Sequence, residues 1–283
     1  MTMTSPENIG ISAARAAAAA ADVEVRELTD LRDLESVVQL FAGIWGRGAN
    51  PPMSLELLRA FGKAGNYVSG AFTGDRLVGA CVGFFHAPAE DTLHSHIAGV
   101  APEMAGRSVG YALKLHQRAW ALYRDVDQIA WTFDPLMARN AYFNITKLAA
   151  RPVEYLPNFY GLMLDTVNGD DDSDRLLVHW RLRDPAVVAA CAPGGHRPAP
   201  ASLTDAVVAL GVTADGAPEP GRLDGDLSLV AVPADITGLR NSAPELAMHW
   251  RRAVREAMTV LMADGARVVG FDRAGRYLLR RDR

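Results

Sequence analysis

The chain has 283 residues, 49% of them hydrophobic, and a formal net charge of −4. That length and apolar content suit one large soluble domain or two small ones, and the mild acidity supplies no global attraction to nucleic acid or an anionic membrane. Cys81 in an apolar run and Cys191 in a Pro/Gly stretch make neither a disulfide framework nor a metal spacing, and no run approaches the ~20 apolar residues of a membrane span.

Residues 1–22 lack the basic and Leu-rich regions of a signal peptide. The alanine-rich stretch Ile11 to Ala21 has two readings, a helical arm and a frayed tail, and the tail is favoured because so short a helix is marginal in isolation. Val23 to Leu28 alternates like a half-buried strand. Asp30 or Asp33 then caps a helix whose Leu34, Val37, Val38, Phe41 and Trp45 share one face. Asn50-Pro51-Pro52 breaks it, and Ser54 caps a second helix over Leu55 to Lys63. Tyr67 to Phe72 and Arg76 to His86 read as a hairpin turning at Thr73-Gly74-Asp75, and Thr92 to Val100 as a third strand. A long helical pattern ends near Asp125, followed by a strand at Gln128 to Phe133, a helix at Ala138 to Ala149, and strands at Val153 to Tyr160 and Arg175 to Leu182. This order predicts an α/β fold, a mixed sheet with helices on both faces.

The Pro-, Gly- and Ala-rich stretch from Cys191 to Gly225 surrounds one apolar piece, Ala206 to Val212. Beyond it come a strand at Leu227 to Val232, a helix with the stripe Leu246, Trp250, Val254, Met258 and Leu261, and a hairpin through Ala274-Gly275. The expected organisation is an N-terminal tail over 1–22, a main domain over 23–182, a linker or long surface excursion over 183–225, and a strand-helix-strand element over 226–283.

The segment that carries chemistry runs from Val100-Ala101-Pro102 through Gly106-Arg107-Ser108-Val109-Gly110 to Tyr111-Ala112, where a strand turns into a helix. The first amides of such a helix and its dipole attract an anion, and small residues let a phosphate reach the backbone. A Walker lysine and the full dinucleotide fingerprint are both missing. Here the sequence resembles the GNAT N-acetyltransferase superfamily, whose pyrophosphate loop reads Arg or Gln, two residues, Gly, one residue, Gly or Ala. Arg107, Gly110 and Ala112 hold those places, after a strand that ends Val-Ala-Pro.

The resemblance extends over Val23 to Leu182 and implies an acyl-CoA cosubstrate, with no metal. Its pyrophosphate would lie on Arg107, Ser108, Val109, Gly110, Tyr111 and Ala112, and its pantetheine on Val100 and Asn140. The runs Trp131 to Leu136, Arg139 to Asn144, Asn158 to Gly161, His249-Trp250-Arg251 and Arg255-Glu256 look like a bacterial subgroup of predicted acyltransferases with an added C-terminal element. That likeness implies transfer of an acetyl, succinyl or similar group to a small amine such as an amino acid.

Direct transfer needs a proton acceptor for the amine and a partner for the departing thiolate. His94 and His96 share one face of their strand, and His96 is the nearer to Val100; it and Glu103 are the candidate bases. Many GNAT enzymes carry a tyrosine on the helix after the fifth strand as the thiolate's acid. That position falls near Ile145 here, which leaves Tyr142 and Tyr160 as substitutes, Tyr160 being the candidate taken forward. Arg251, Arg252 and Arg255 read as a solvated helix face, the sharper alternative being that they, or Arg139, bind a ligand carboxylate. The leading reading is thus a cytoplasmic acyltransferase with free thiols, acting on a small-molecule amine without nucleic acid or membrane, with a homodimer left open. The alternatives are a silent acyl-CoA-binding module and an interaction protein.

Overall fold

The computed structural model describes residues 6–46, 50–87, 90–163, 165, 171–195 and 203–281. The chain divides into two compact units, Met1–Trp131 with Arg181–Gly195, and Thr132–Trp180 with His196–Arg283.

In the first unit, helix α1 (Pro6–Ala20) replaces the favoured frayed tail. Ala13, Ala14, Ala17 and Ala21 are buried, and the helix lies along α4 (Val109–Leu122), which supplies the tertiary contacts an isolated alanine helix lacks. A Cβ on Gly10 would stand 3.3 Å from Leu122 Cδ1 and 3.6 Å from the Ala119 Cα, so the two helices meet where a side chain is missing. Gly10→Leu is expected to overpack this contact and cost about 1–3 kcal/mol, read as a lowered denaturation midpoint.

Strand β1 (Glu24–Glu27) leads to α2 (Leu31–Trp45), where Asp30, not Asp33, is the cap: its carboxylate accepts from the Arg32 amide at 3.3 Å. Helix α3 (Leu55–Lys63) is capped by Ser54, whose Oγ accepts from the Leu57 amide. β2 (Tyr67–Thr73), β3 (Arg76–Phe85) and β4 (Thr92–Val100) follow as successive antiparallel neighbours, the first pair turning at Gly74 with φ +57°. β5 (Gln128–Phe133) pairs with β4 in parallel, so the sheet is mixed. Leu34, Val37, Phe41 and Leu58 pack against Val68, Phe72, Ala80 and Val82 on one face. On the other face Gly79 admits α4, since a Cβ there would lie 3.1 Å from Leu113 and Val109 side-chain atoms.

The second unit begins with the last residues of β5. The expected helix over Ala138 to Ala149 is α5 (Ala138–Ala141) followed by a π-helical stretch, Tyr142–Lys147. β6 (Arg151–Leu156) and β7 (Arg175–Arg181) are antiparallel, and the expected extension of β6 to Tyr160 is cut short by a turn with Asn158 at φ +43°. The chain then returns to the first unit as α6 (Pro185–Cys191), capped by Asp184. Tyr111 donates to the Ala190 carbonyl and Arg118 donates twice to that of Leu182.

Within the second unit, β8 (Val207–Val212) and β9 (Pro218–Pro220) join β10 (Leu227–Ala231), β11 (Ala266–Phe271) and β12 (Arg276–Arg281) in a sheet of order β11-β12-β10-β8-β9. The stretch expected as a linker therefore supplies two strands and α6, because its apolar piece buries Ala209 and Leu210 beside β10. After α7 (Ile236–Ser242), α8 (Pro244–Ala263) covers this sheet with the buried side chains Trp250, Val254, Met258 and Leu261.

The polar side of α8 overturns its sequence reading. Arg251, 2% exposed, donates to Asp134 at 2.8 and 2.9 Å and to Asp171 at 3.1 and 2.9 Å. Arg240 shares both carboxylates, at 2.6 and 3.1 Å, and Arg255 is held by Asp172 and Asp174. Of the three arginines expected on a solvated face, only Arg252 is exposed. The alternative of ligand-carboxylate recognition fails for Arg251 and Arg255 because aspartates of the chain already occupy both.

Candidate functional site

β4 and β5 pair only over Thr92 to His94 opposite Gln128 to Ala130. Beyond His94 the β5-side edge of β4 has no strand partner among the described residues, so a fork opens at Ser95 and Trp131. On the other edge the register steps from Val82↔Ile97 to Gly83↔Ser95, which makes His96 the extra residue of a bulge. The bulge leaves the His94 and His96 rings together, with centroids 6.2 Å apart and both against Phe84. Ser95, between them in sequence, contacts α4 instead.

After Val100, a 3₁₀ turn at Pro102–Met104 leads through Gly106, at φ +81°, to Ser108, at φ +63°, and into α4. Two residues in three are thus left-handed, a conformation that glycine adopts without steric cost at Gly106. The Arg107 amide is spent on the Met104 carbonyl, and those of Tyr111 and Ala112 on Ser108. Gly106, Ser108, Val109 and Gly110 have no amide acceptor among the described residues. The Arg107 guanidinium is exposed and touches only the Met104 sulfur, with no carboxylate partner among the described residues. A Cβ on Gly110 would meet nothing closer than Val100 Cγ2 at 3.8 Å, so the space over this amide is open. These features fit a phosphate: donors, a free guanidinium and the positive end of a long helix.

The other predicted residues divide. Val100 is half-buried, Val109 and Ala112 are buried in the base of α4, and Tyr111 is committed to the Ala190 carbonyl. Glu103 is held by Arg76 at 2.9 Å. Asn140 and Tyr160 belong to the second unit. Asn140 is exposed within α5, whose cap is Met137, so it is not a capping residue. Tyr160 is 42% exposed, its hydroxyl 3.1 Å from Thr132 Oγ1 and its ring 5.3 Å from the Arg175 guanidinium. Tyr142 borders a cavity of about 470 Å³ with Phe271 and Asp272, and Ile145 is buried. Among the described residues no cluster of His, Cys, Asp or Glu could hold a metal ion.

Burial and the charges of His96, His86 and Lys114 push the His94 imidazole down to about 4, and partial burial lowers His96 as well. Both rings are neutral at pH 7 and able to accept a proton. Lys114, which sequence reasoning missed, lies 5% exposed at the fork. Its ammonium donates to Ser95 Oγ at 2.7 Å and Gln117 Oε1 at 3.1 Å, and sits 3.9 Å from the Trp131 ring centroid. Burial lowers it to about 8, with Cys81 opposing. The signal available in sequence was a lone charge inside the run Ala112-Leu113-Lys114-Leu115, one turn past the loop. A separate cavity of about 370 Å³ between α1, β1 and α4 lies at the Trp120 end of α4, about 15 Å along the helix from Gly110.

No family model matches the chain, and no curated protein matches it in sequence. Among solved structures it is similar to an N-acetyltransferase from Staphylococcus aureus, at 13% identity over 57% of this chain and 99% of that one, with a TM-score of 0.48. It is also similar to the ribosomal-protein-S18-alanine N-acetyltransferase from Escherichia coli, at 14% identity over 56% and 94% of the two chains, TM-score 0.45. A third, the PaiA N-acetyltransferase from Thermoplasma acidophilum in complex with coenzyme A, has 16% identity over 56% and 98%, TM-score 0.42.

Proposed function

We propose that the protein is an acyl-CoA-dependent N-acyltransferase that moves an acyl group directly from CoA to the amine of a small molecule, such as an amino acid. The observation that carries this reading is the placement, in one unit, of free amides and an unpaired Arg107 at the start of α4 beside a strand edge left without a partner beyond His94. The loop offers donors to a pyrophosphate, and the amides of a pantetheine arm can pair with the free edge of β4 as an added strand would. Val100 to Ser95 spans five residues at ~3.3 Å each, or ~16 Å. The arm from phosphate to sulfur has about twelve bonds, equivalent to about four extended residues or ~14 Å, which brings the thioester to the His96 end of the fork.

His96, neutral and open to solvent, is the proposed acceptor of the amine proton. Glu103 is less suited, because its carboxylate is already paired with Arg76 at 2.9 Å. Asn140, the pantetheine candidate, and Tyr160, the substitute for the tyrosine absent at Ile145, belong to the second unit and are given no role in this site. Two buried free thiols suit a reducing cytoplasmic setting.

Calorimetric titration with CoA, acetyl-CoA and succinyl-CoA tests the reading, followed by a thiol-release screen of amines. Binding without release for any amine would favour the silent module, which the Ile145 departure from the family tyrosine makes the second reading. His96→Ala is expected to lower turnover by about 10²-fold or more while CoA affinity stays unchanged. Wild-type turnover should fall on an acidic limb below the ordinary histidine value of 6.5, because His96 is lowered and gains its proton only there. Equal kinetics in the variant would remove His96 from the mechanism.

A further inference from the structure

Lys114 stands where the two fork strands part: Ser95, which it bonds, follows the last β4 residue paired to β5, and Trp131, on which it rests, follows the last paired residue of β5. No carboxylate is among its partners. An ammonium has three N–H donors, and two go to the neutral oxygens of Ser95 and Gln117; the Trp131 ring centroid lies 3.9 Å from the nitrogen, and the third N–H has no oxygen or sulfur acceptor among the described residues. Burying such a charge without an anion costs several kcal/mol, and an apolar side chain of equal volume would serve the core at least as well. Its position at the closed end of the fork calls for an anion that the folded chain does not itself supply.

We propose that Lys114 is a catalytic residue that stabilises and protonates the departing CoA thiolate, taking the role of the tyrosine missing at Ile145. The proposal rests on the acyl-CoA reading above. The acceptor nitrogen forms the C–N bond as the C–S bond breaks, and the electron pair stays on sulfur. Lys114 gives that sulfur a proton, leaving a thiol and a neutral amine. The proton lost by the acceptor nitrogen, passed through His96 or water, restores the ammonium. An amine lowered to about 8 is suited to giving and regaining a proton near neutral pH.

The test is the ionisation of CoA bound to the full-length protein, followed by the ultraviolet band of its thiolate between pH 5 and 9. The titratable groups facing Lys114 are Cys81 from β3 and His94 from β4. His94, at about 4, is already neutral in this window. Burial raises the Cys81 thiol and pushes Cys191 up to about 11, so neither is expected to ionise strongly there. The bound CoA thiol is expected to ionise at least one pH unit below free CoA, about tenfold or more in thiolate population. Lys114→Met and Lys114→Gln should return it to the free value while still binding CoA, with Lys114→Met at least as heat-stable as the wild type. An unshifted thiol in the wild type, or a shift that persists in either variant, would overturn the proposal. Failure of the wild type to bind CoA would instead overturn the acyl-CoA reading itself, and this assignment with it.

Discussion

Gly110→Glu is expected to abolish measurable CoA binding while leaving the melting temperature within about 2 °C of wild type. The fold should tolerate the change because Gly110 lies in the first turn of α4 and a Cβ there has ordinary contacts, the nearest at 3.8 Å. Nor does its conformation require glycine, since it is not among the positive-φ residues, unlike Gly106. The added carboxylate would occupy the open space over the free amides. A like charge within ~4 Å of a phosphate costs about 4 kcal/mol at an effective dielectric constant near 20, or about 10²–10³ in affinity. Glutamate in a first helical turn is itself favourable to the helix dipole, so lost binding with retained stability would separate the site from the fold. Wild-type affinity in this variant, measured by the same calorimetric titration, would place the pyrophosphate elsewhere.

The second large effect lies in α8. Arg251→Met should cost about 3–5 kcal/mol, because it leaves Asp134 and Asp171, both buried, sharing Arg240 alone. At about 2–4 °C per kcal/mol for a chain of this size, the midpoint should fall on the order of 10 °C. Arg252→Met, on the adjacent exposed position, should stay within about 0.5 kcal/mol. Equal effects of the two substitutions in a thermal melt would show that the buried pairs contribute nothing particular. The network also sets a pH dependence. Burial pushes the Asp134 carboxyl up, but Arg251 and Arg240 outweigh it and hold the group well below the ordinary 3.8. Its contribution is therefore complete above about 4 and is lost as the solution becomes more acidic. Arg251→Met should flatten the acid limb of the stability curve.

Much of the architecture was legible in the chain because it is written in local chemistry. Ser54 caps α3, Gly74 and Gly275 turn hairpins with the left-handed φ those turns need, and the bounds of β4 and β5 follow their apolar runs. The glycine-bearing loop was legible for the same reason, since free amides at a helix start are a local property. What local chemistry could not show is which surfaces find partners. Alanines 13, 14 and 17 promise only marginal helix until α4 covers them, and the Pro- and Gly-rich stretch before β10 looks like linker until β10 offers an edge to β8.

Charges are the extreme case. Arg251 and Arg252 are adjacent and chemically identical, yet one is buried between aspartates more than 75 residues away and the other is exposed. Lys114 resembles any helical lysine until the separation of β4 from β5 gives it a position at the fork. Sequence by itself determined the order of elements, their caps and turns, and the glycine-bearing turn into α4, because those depend on residues within a few positions of one another. The tertiary structure alone decided which charges are buried and what they face, because the energy of a charge is set by neighbours distant in the chain and by the water they exclude.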